Sequence, residues 1–122
     1  MSTWLPPTAE EEPVVTLVSW GAFEVLVPEL EAPTIHVAGM KQVGATGRVS
    51  SPVVKVDAAT RSVVTSTGRT YRLLGAPGLQ GDASYVWSRW LWKWNAKLLS
   101  DAAPALAHSF DAEETPNGEA AS

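Results

Sequence analysis

From Val14 to Val27 apolar and β-branched residues crowd together, with Val14, Val15, Thr16, Leu17 and Val18 before Gly21 and Phe23, Val25, Leu26 and Val27 after it. Strand-forming side chains interrupted by a glycine predict two short strands. Pro28 and Pro33 bracket Glu29 and Glu31, Thr34 to Ala38 reads as a third strand, and a connection runs through Gly39, Gly44 and Gly47. Between Val53 and Leu74 three β-rich runs are separated by turn residues at Asp57 to Thr60 and at Thr67-Gly68, which predicts an antiparallel meander. Thr46-Gly47-Arg48 and Thr67-Gly68-Arg69 form a near-repeat. We read it as two similar hairpin turns, each glycine supplying a positive φ and each arginine opening a strand.

The period changes after a loop of Gly75, Pro77, Gly78 and Gly81. Four of the six tryptophans fall between Trp87 and Trp94. A strand would align Trp90, Trp92 and Trp94, whereas a helix gathers Ala83, Trp87, Trp90, Leu91, Trp94 and Leu98 into a core-facing stripe. The length of the run and Asp82, placed to cap its start, favour a helix from Ala83 to about Leu99. On that helix Tyr85, Trp92 and Leu99 lie seven residues apart on nearly the opposite side, flanked by Arg89 and Lys93. Asp101 is placed to cap a shorter helix reaching about Phe110, with Pro104 tolerated in its first turn.

The predicted fold is α+β: an antiparallel β-meander sheet packed against one Trp-rich C-terminal helix, with acidic flexible ends. Residues 1–13 form an acidic N-terminal lead whose Trp4 and Leu5 are candidates for docking onto the body. Residues 14–110 form a single α+β domain, and residues 111–122 an acidic C-terminal tail.

Charge sharpens this division. All nine basic residues lie between Lys41 and Lys97, a stretch holding only two acidic residues, Asp57 and Asp82, so its formal charge is +7 against −6 before it and −5 after it. The net charge of −4 thus conceals a basic body between acidic flanks. Such a field captures anionic partners and lets the chain's own ends compete for the same surface.

Catalytic chemistry finds few parts. The chain has no cysteine, which removes disulfides and thiolate metal sites and fits the cytoplasm. His36 and His108 lie far apart without companion ligands, so no metal and no cofactor are expected. No Gly-x-Ser-x-Gly turn supports a nucleophile, and the loop before Asp82 lacks the glycine and lysine pattern of a phosphate cradle. The carboxylates at Glu10 to Glu12 and Glu113-Glu114 sit in tails that do not fix an acid–base separation. Residues 1–40 contain no lysine or arginine before an apolar run, and no apolar run is long enough to span a bilayer. Secretion and membrane insertion are therefore not expected.

Over residues 48–94, the order of a β-hairpin, Gly68-Arg69-Thr70-Tyr71-Arg72-Leu73, a Gly-Pro loop and Asp82-Ala83-Ser84-Tyr85-Val86-Trp87-Ser88-Arg89-Trp90 resembles small uncharacterised accessory proteins of phages and prophages. The resemblance implies a protein that binds and blocks host defence or regulatory machinery, anti-CRISPR-like inhibition among the options. It carries over no catalytic residues.

The expected function is non-enzymatic protein binding through Tyr85, Arg89, Trp92 and Lys93, with a host or phage protein as partner. Aromatic and arginine side chains are the types that anchor interfaces. The alternative is a nucleic-acid-binding module that uses the basic 41–97 region, with the acidic tails as restraint. Two further options stay open for Trp92: cover by the acidic C-terminal segment or by Trp4 and Leu5, and a homodimer seam.

Overall fold

The computed structural model describes residues 12–44 and 46–114. Seven strands and two helices follow in the order β1 (Val14–Leu26), β2 (Thr34–Lys41), β3 (Gly47–Val49), β4 (Val53–Asp57), β5 (Ser62–Thr65), β6 (Thr70–Leu73), α1 (Gly81–Lys93), β7 (Lys97–Asp101) and α2 (Ala103–Glu114). The fold is α+β with a mostly antiparallel, open sheet in the order β3-β2-β1-β6-β5-β4, and β7 added to β1.

β1 organises the sheet because it is long enough to serve different neighbours at its two ends. Its first residues pair with β6 in parallel, from Val14 opposite Thr70 to Leu17 opposite Leu73. Its last residues pair with β7 antiparallel, from Phe23 opposite Asp101 to Leu26 opposite Lys97. β2 lies antiparallel along the other edge of both halves. The two short strands expected around Gly21 are therefore one strand. The signal read as a break is a bulge, where the register shifts between Val18 and Gly21 and Ser19 takes a φ of 49°. A bulge bends a strand without ending it.

β4, β5 and β6 pair antiparallel in sequence order. The parallel contact of β6 with β1 means that the whole sheet is not a meander. The near-repeat also divides. Gly68 has the positive φ expected of a turn, at 90°, but Gly47 does not: it begins β3, and the positive φ falls before the first copy, at Gly44, with 93°.

Two apolar clusters lie against the sheet. In the first, Val15, Leu17, Trp20, Ala22, Val37, Val63, Tyr71 and Leu73 are covered by Ala103 and Phe110 of α2. Trp20 is fully buried, donates from its indole Nε1 to the carbonyl of Gly75 at 3.0 Å, and tilts against Phe110 at a centroid distance of 6.1 Å. Full burial of one such large side chain stabilises by about 3 kcal/mol. In the second, Val25, Val27 and Ala38 meet Trp87 of α1. The sheet is thus covered by two helices, not by one C-terminal helix. α2 runs through Glu114, into the stretch read as a tail from residue 111. Asp101 ends β7 and accepts a hydrogen bond from the first amide of α2, that of Ala103, at 2.9 Å, while the Ala102 carbonyl takes the first helical bond, from Leu106.

The basic body is partly neutralised from within. The Glu12 carboxylate accepts from Lys41 Nζ at 2.8 Å and Arg48 Nη1 at 3.3 Å, while Arg69 Nε donates to the Glu12 backbone carbonyl at 2.9 Å. Arg61 donates to the carbonyls of Leu73 and Gly75, lies over the Phe110 ring and pairs with Asp111. These arginines tie Glu12 and Asp111, on either side of the basic stretch, to the body of the sheet. Among the described residues no helix is long and apolar enough to cross a membrane.

Candidate binding surface on the first helix

α1 is shorter than its sequence suggests, because its C-terminus is closed by Asn95. Asn95 adopts the left-handed region with φ of 51°, its amide donates to Trp92 O at 3.1 Å, and the Ala96 amide donates to Leu91 O at 2.9 Å. This pair of bonds is a Schellman motif, in which asparagine takes the place more often held by glycine. The next residues leave the helix and extend along β1 as β7. Leu98 and Leu99 are therefore exposed strand residues and belong to neither helical stripe. Asp82 is not the cap either. Gln80 holds that position, and Asp82 in the first turn accepts a hydrogen bond from the Gly47 amide at 2.7 Å.

Within the helix the predicted inward stripe holds from Ala83 to Leu91, whereas Trp94, beyond the last helical residue, is exposed. Ala83 and Trp87 are buried, and Trp90 and Leu91 pack against the second cluster. Trp87 stacks on Phe23 at 4.7 Å and on Trp90 at 5.3 Å, and Trp90 leans on the His36 ring at 4.5 Å. This aromatic series consumes the inward face. On the outward face Trp92 is 79% exposed and Tyr85 61% exposed. Arg89 lies over the Trp92 ring at 5.9 Å and Lys93 over the Trp94 ring at 5.8 Å, both within cation–π range. The structure thus brings Arg89 and Trp92 together, with Tyr85 and Lys93 exposed on the same helix. Trp4 and Leu5, offered as cover for this face, lie outside the described residues.

Beside α1 is a groove of about 390 Å³ that the sequence reading did not isolate, bordered by Val27, Glu29, Leu30, His36, Val49, Ser50, Ser51, Pro52, Trp90 and Trp94. Its size is in the range of ligand clefts. His36 cannot serve it as a free base. Its Nδ1–H donates to the Ser50 carbonyl at 2.9 Å, and Nε2 accepts from the Thr34 hydroxyl at 2.8 Å. Burial holds its pKa below the ordinary imidazole value, against the opposing effect of the Ser50 hydrogen bond. Ser50 is committed as well, accepting from the Val37 amide and donating to Ser51 O.

A partial signal for this groove lay in the alternation of Thr34 to Ala38, which sets His36 on the sheet face that meets α1 but does not join it to the Glu29 turn or β3. It went unread because Trp94 was assigned to the core of a longer helix. Ending the helix at Lys93 makes Trp94 a rim residue, 42% exposed.

Among the described residues no group of three or more His, Asp or Glu side chains is placed to hold a metal ion. The remaining basic side chains, Lys55, Arg72, Arg89, Lys93 and Lys97, are spread over β4, β6, α1 and β7. No family model matches the chain, and no match is found among curated proteins or solved structures.

Proposed function

We propose that the protein is a non-enzymatic protein-binding module that engages its partner through the outward face of α1, with Trp92 and Tyr85 as aromatic anchors and Arg89 and Lys93 as charged companions. The observation that carries this reading is Trp92, the most exposed tryptophan of α1, with its ring lying against Arg89. A large indole left in water forgoes about 2–3 kcal/mol of burial that a partner surface restores. Side chains held in place before binding also lose less conformational entropy on association. The commitment of both His36 nitrogens and of the Ser50 hydroxyl to internal hydrogen bonds supports a binding role over a catalytic one.

The finer role follows from the resemblance to phage accessory proteins: an inhibitor of host defence or regulatory machinery, acting by occupying a surface. Affinity capture from host-cell lysate tests the reading, with wild type beside the Trp92→Ala, Arg89→Ala double variant and with nuclease in parallel. A nuclease-resistant partner lost only with the variant is the expected result. A nuclease-sensitive interaction, or a partner retained by the variant, contradicts it.

The alternative, a nucleic-acid-binding module restrained by acidic ends, draws on the contacts of Glu12 with Lys41 and Arg48 and of Asp111 with Arg61. The spread of the other basic residues over several elements argues against a single phosphate-tracking stripe. Steep weakening of binding with added salt would favour this alternative.

A further inference from the structure

The groove beside α1 has a chemistry distinct from that of the outward helix face. Trp90 and Trp94 supply indole surface, and Leu30, Val49 and Pro52 supply aliphatic surface. Among the described residues that border the groove, Glu29 is the only carboxylate and there is no lysine or arginine. The buried, doubly bonded His36 adds no positive charge at neutral pH. Glu29 is exposed on a short turn closed by the Leu30 amide donating to Val27 O at 2.9 Å, and proline on either side, at Pro28 and Pro33, restricts the backbone that carries it. Glu31 on the same turn adds a second exposed negative charge.

Aromatic walls beside a carboxylate are the arrangement that attracts an organic cation. The ammonium of Lys93, 5.8 Å from the Trp94 ring, sets one positive charge beside the groove, and the two carboxylates of Glu29 and Glu31 outweigh it. A guanidinium combines a planar face that stacks on indole with a fork that matches a carboxylate.

We infer that this groove receives an arginine side chain from a partner polypeptide, its guanidinium meeting Glu29 and its stem lying along Trp90 and Trp94. The inference rests on the proposed protein-binding role and adds the chemistry of one anchor of the partner.

The test uses the full-length, nitrogen-15-labelled protein and follows the indole N–H resonances of Trp90 and Trp94 during titration. The probes are three blocked pentapeptides that differ only at the central residue, which is arginine, norleucine or glutamate. The arginine peptide should shift both resonances saturably, and the norleucine and glutamate peptides should bind about tenfold more weakly or not at all. Glu29→Gln, a change at an exposed position, should weaken the arginine peptide by about tenfold while leaving the melting temperature unchanged. Equal binding of the norleucine peptide, full affinity in Glu29→Gln, or no saturable shift at millimolar peptide would each overturn the inference. If the Trp92-dependent partner is still captured in that event, the protein-binding role stands and only the groove's assignment fails. Loss of that role with a retained arginine preference would separate the two in the opposite sense.

Discussion

Gly47 lies directly beneath the first turn of α1 and donates its amide to Asp82 Oδ2 at 2.7 Å. A Cβ added at Gly47 would come within 2.8 Å of both the Ala83 Cα and the Asp82 carbonyl oxygen. The glycine is therefore required by close approach and not by a turn conformation, and Asp82 joins the helix to β3 instead of capping it. Gly47→Ala should destabilise the protein by about 1–3 kcal/mol, because rigid backbone must move to admit the methyl group. Asp82→Ala should cost about 1 kcal/mol. Urea denaturation of the two variants checks the order, and an undisturbed Gly47→Ala would refute the close contact.

Asn95 decides where α1 ends and hence which residues form the rim of the groove. Asn95→Ala should lose about 1 kcal/mol, since alanine pays the full steric cost of the left-handed region that asparagine tolerates. Asn95→Gly should match or exceed wild-type stability. Thermal melts of the pair distinguish this local conformational effect from a general sensitivity of the site.

His36 should make stability depend on pH. Its folded pKa lies below the ordinary value of about 6.5, so the unfolded chain binds the proton more readily. The contribution is fully present above that value and is lost as pH falls from it toward the lower folded pKa. The urea midpoint should accordingly drop as pH falls below about 6.5, and His36→Gln should flatten that limb. A midpoint that rises on acidification through this range would contradict the neutral, buried imidazole.

Glu12 should act in a more acidic window. Hydrogen bonding to Lys41, the largest cause, holds its pKa below the ordinary carboxylate range, with Arg48 adding to the effect against desolvation. Stability from this contact is present above the unfolded value of about 4.3 and is lost as pH falls through the depressed folded one. Glu12→Gln should cost about 1 kcal/mol at neutral pH and lose less than wild type on acidification, as read by denaturation at each pH.

Much of the fold was legible where periodicity was strong. The β-rich runs and intervening turn residues within Val53 to Leu74 located three strands, and the 3.6-residue spacing of Ala83, Trp87, Trp90 and Leu91 identified both the helix and its buried face. Tyr85 and Trp92 were set on the exposed face by the same spacing. Legibility ended where local signals are ambiguous. Gly21 gives a similar sequence signal whether a strand stops or bulges, and Gly47 the same signal whether it turns or lies under a helix. Asn95 is a weaker helix stop than glycine, so Lys97 to Leu99 were read as helical although β1 offered them a strand partner. The groove depends on that boundary together with contacts from β2, β3 and the Glu29 turn, which no local pattern joins.

The most direct test of the central claim compares partner capture by wild type with that by the Trp92→Ala, Arg89→Ala variant, after thermal melts show the two equally folded. The account predicts equal melting temperatures and loss of a nuclease-resistant protein partner in the variant alone. An unchanged partner yield from the equally folded variant would contradict it.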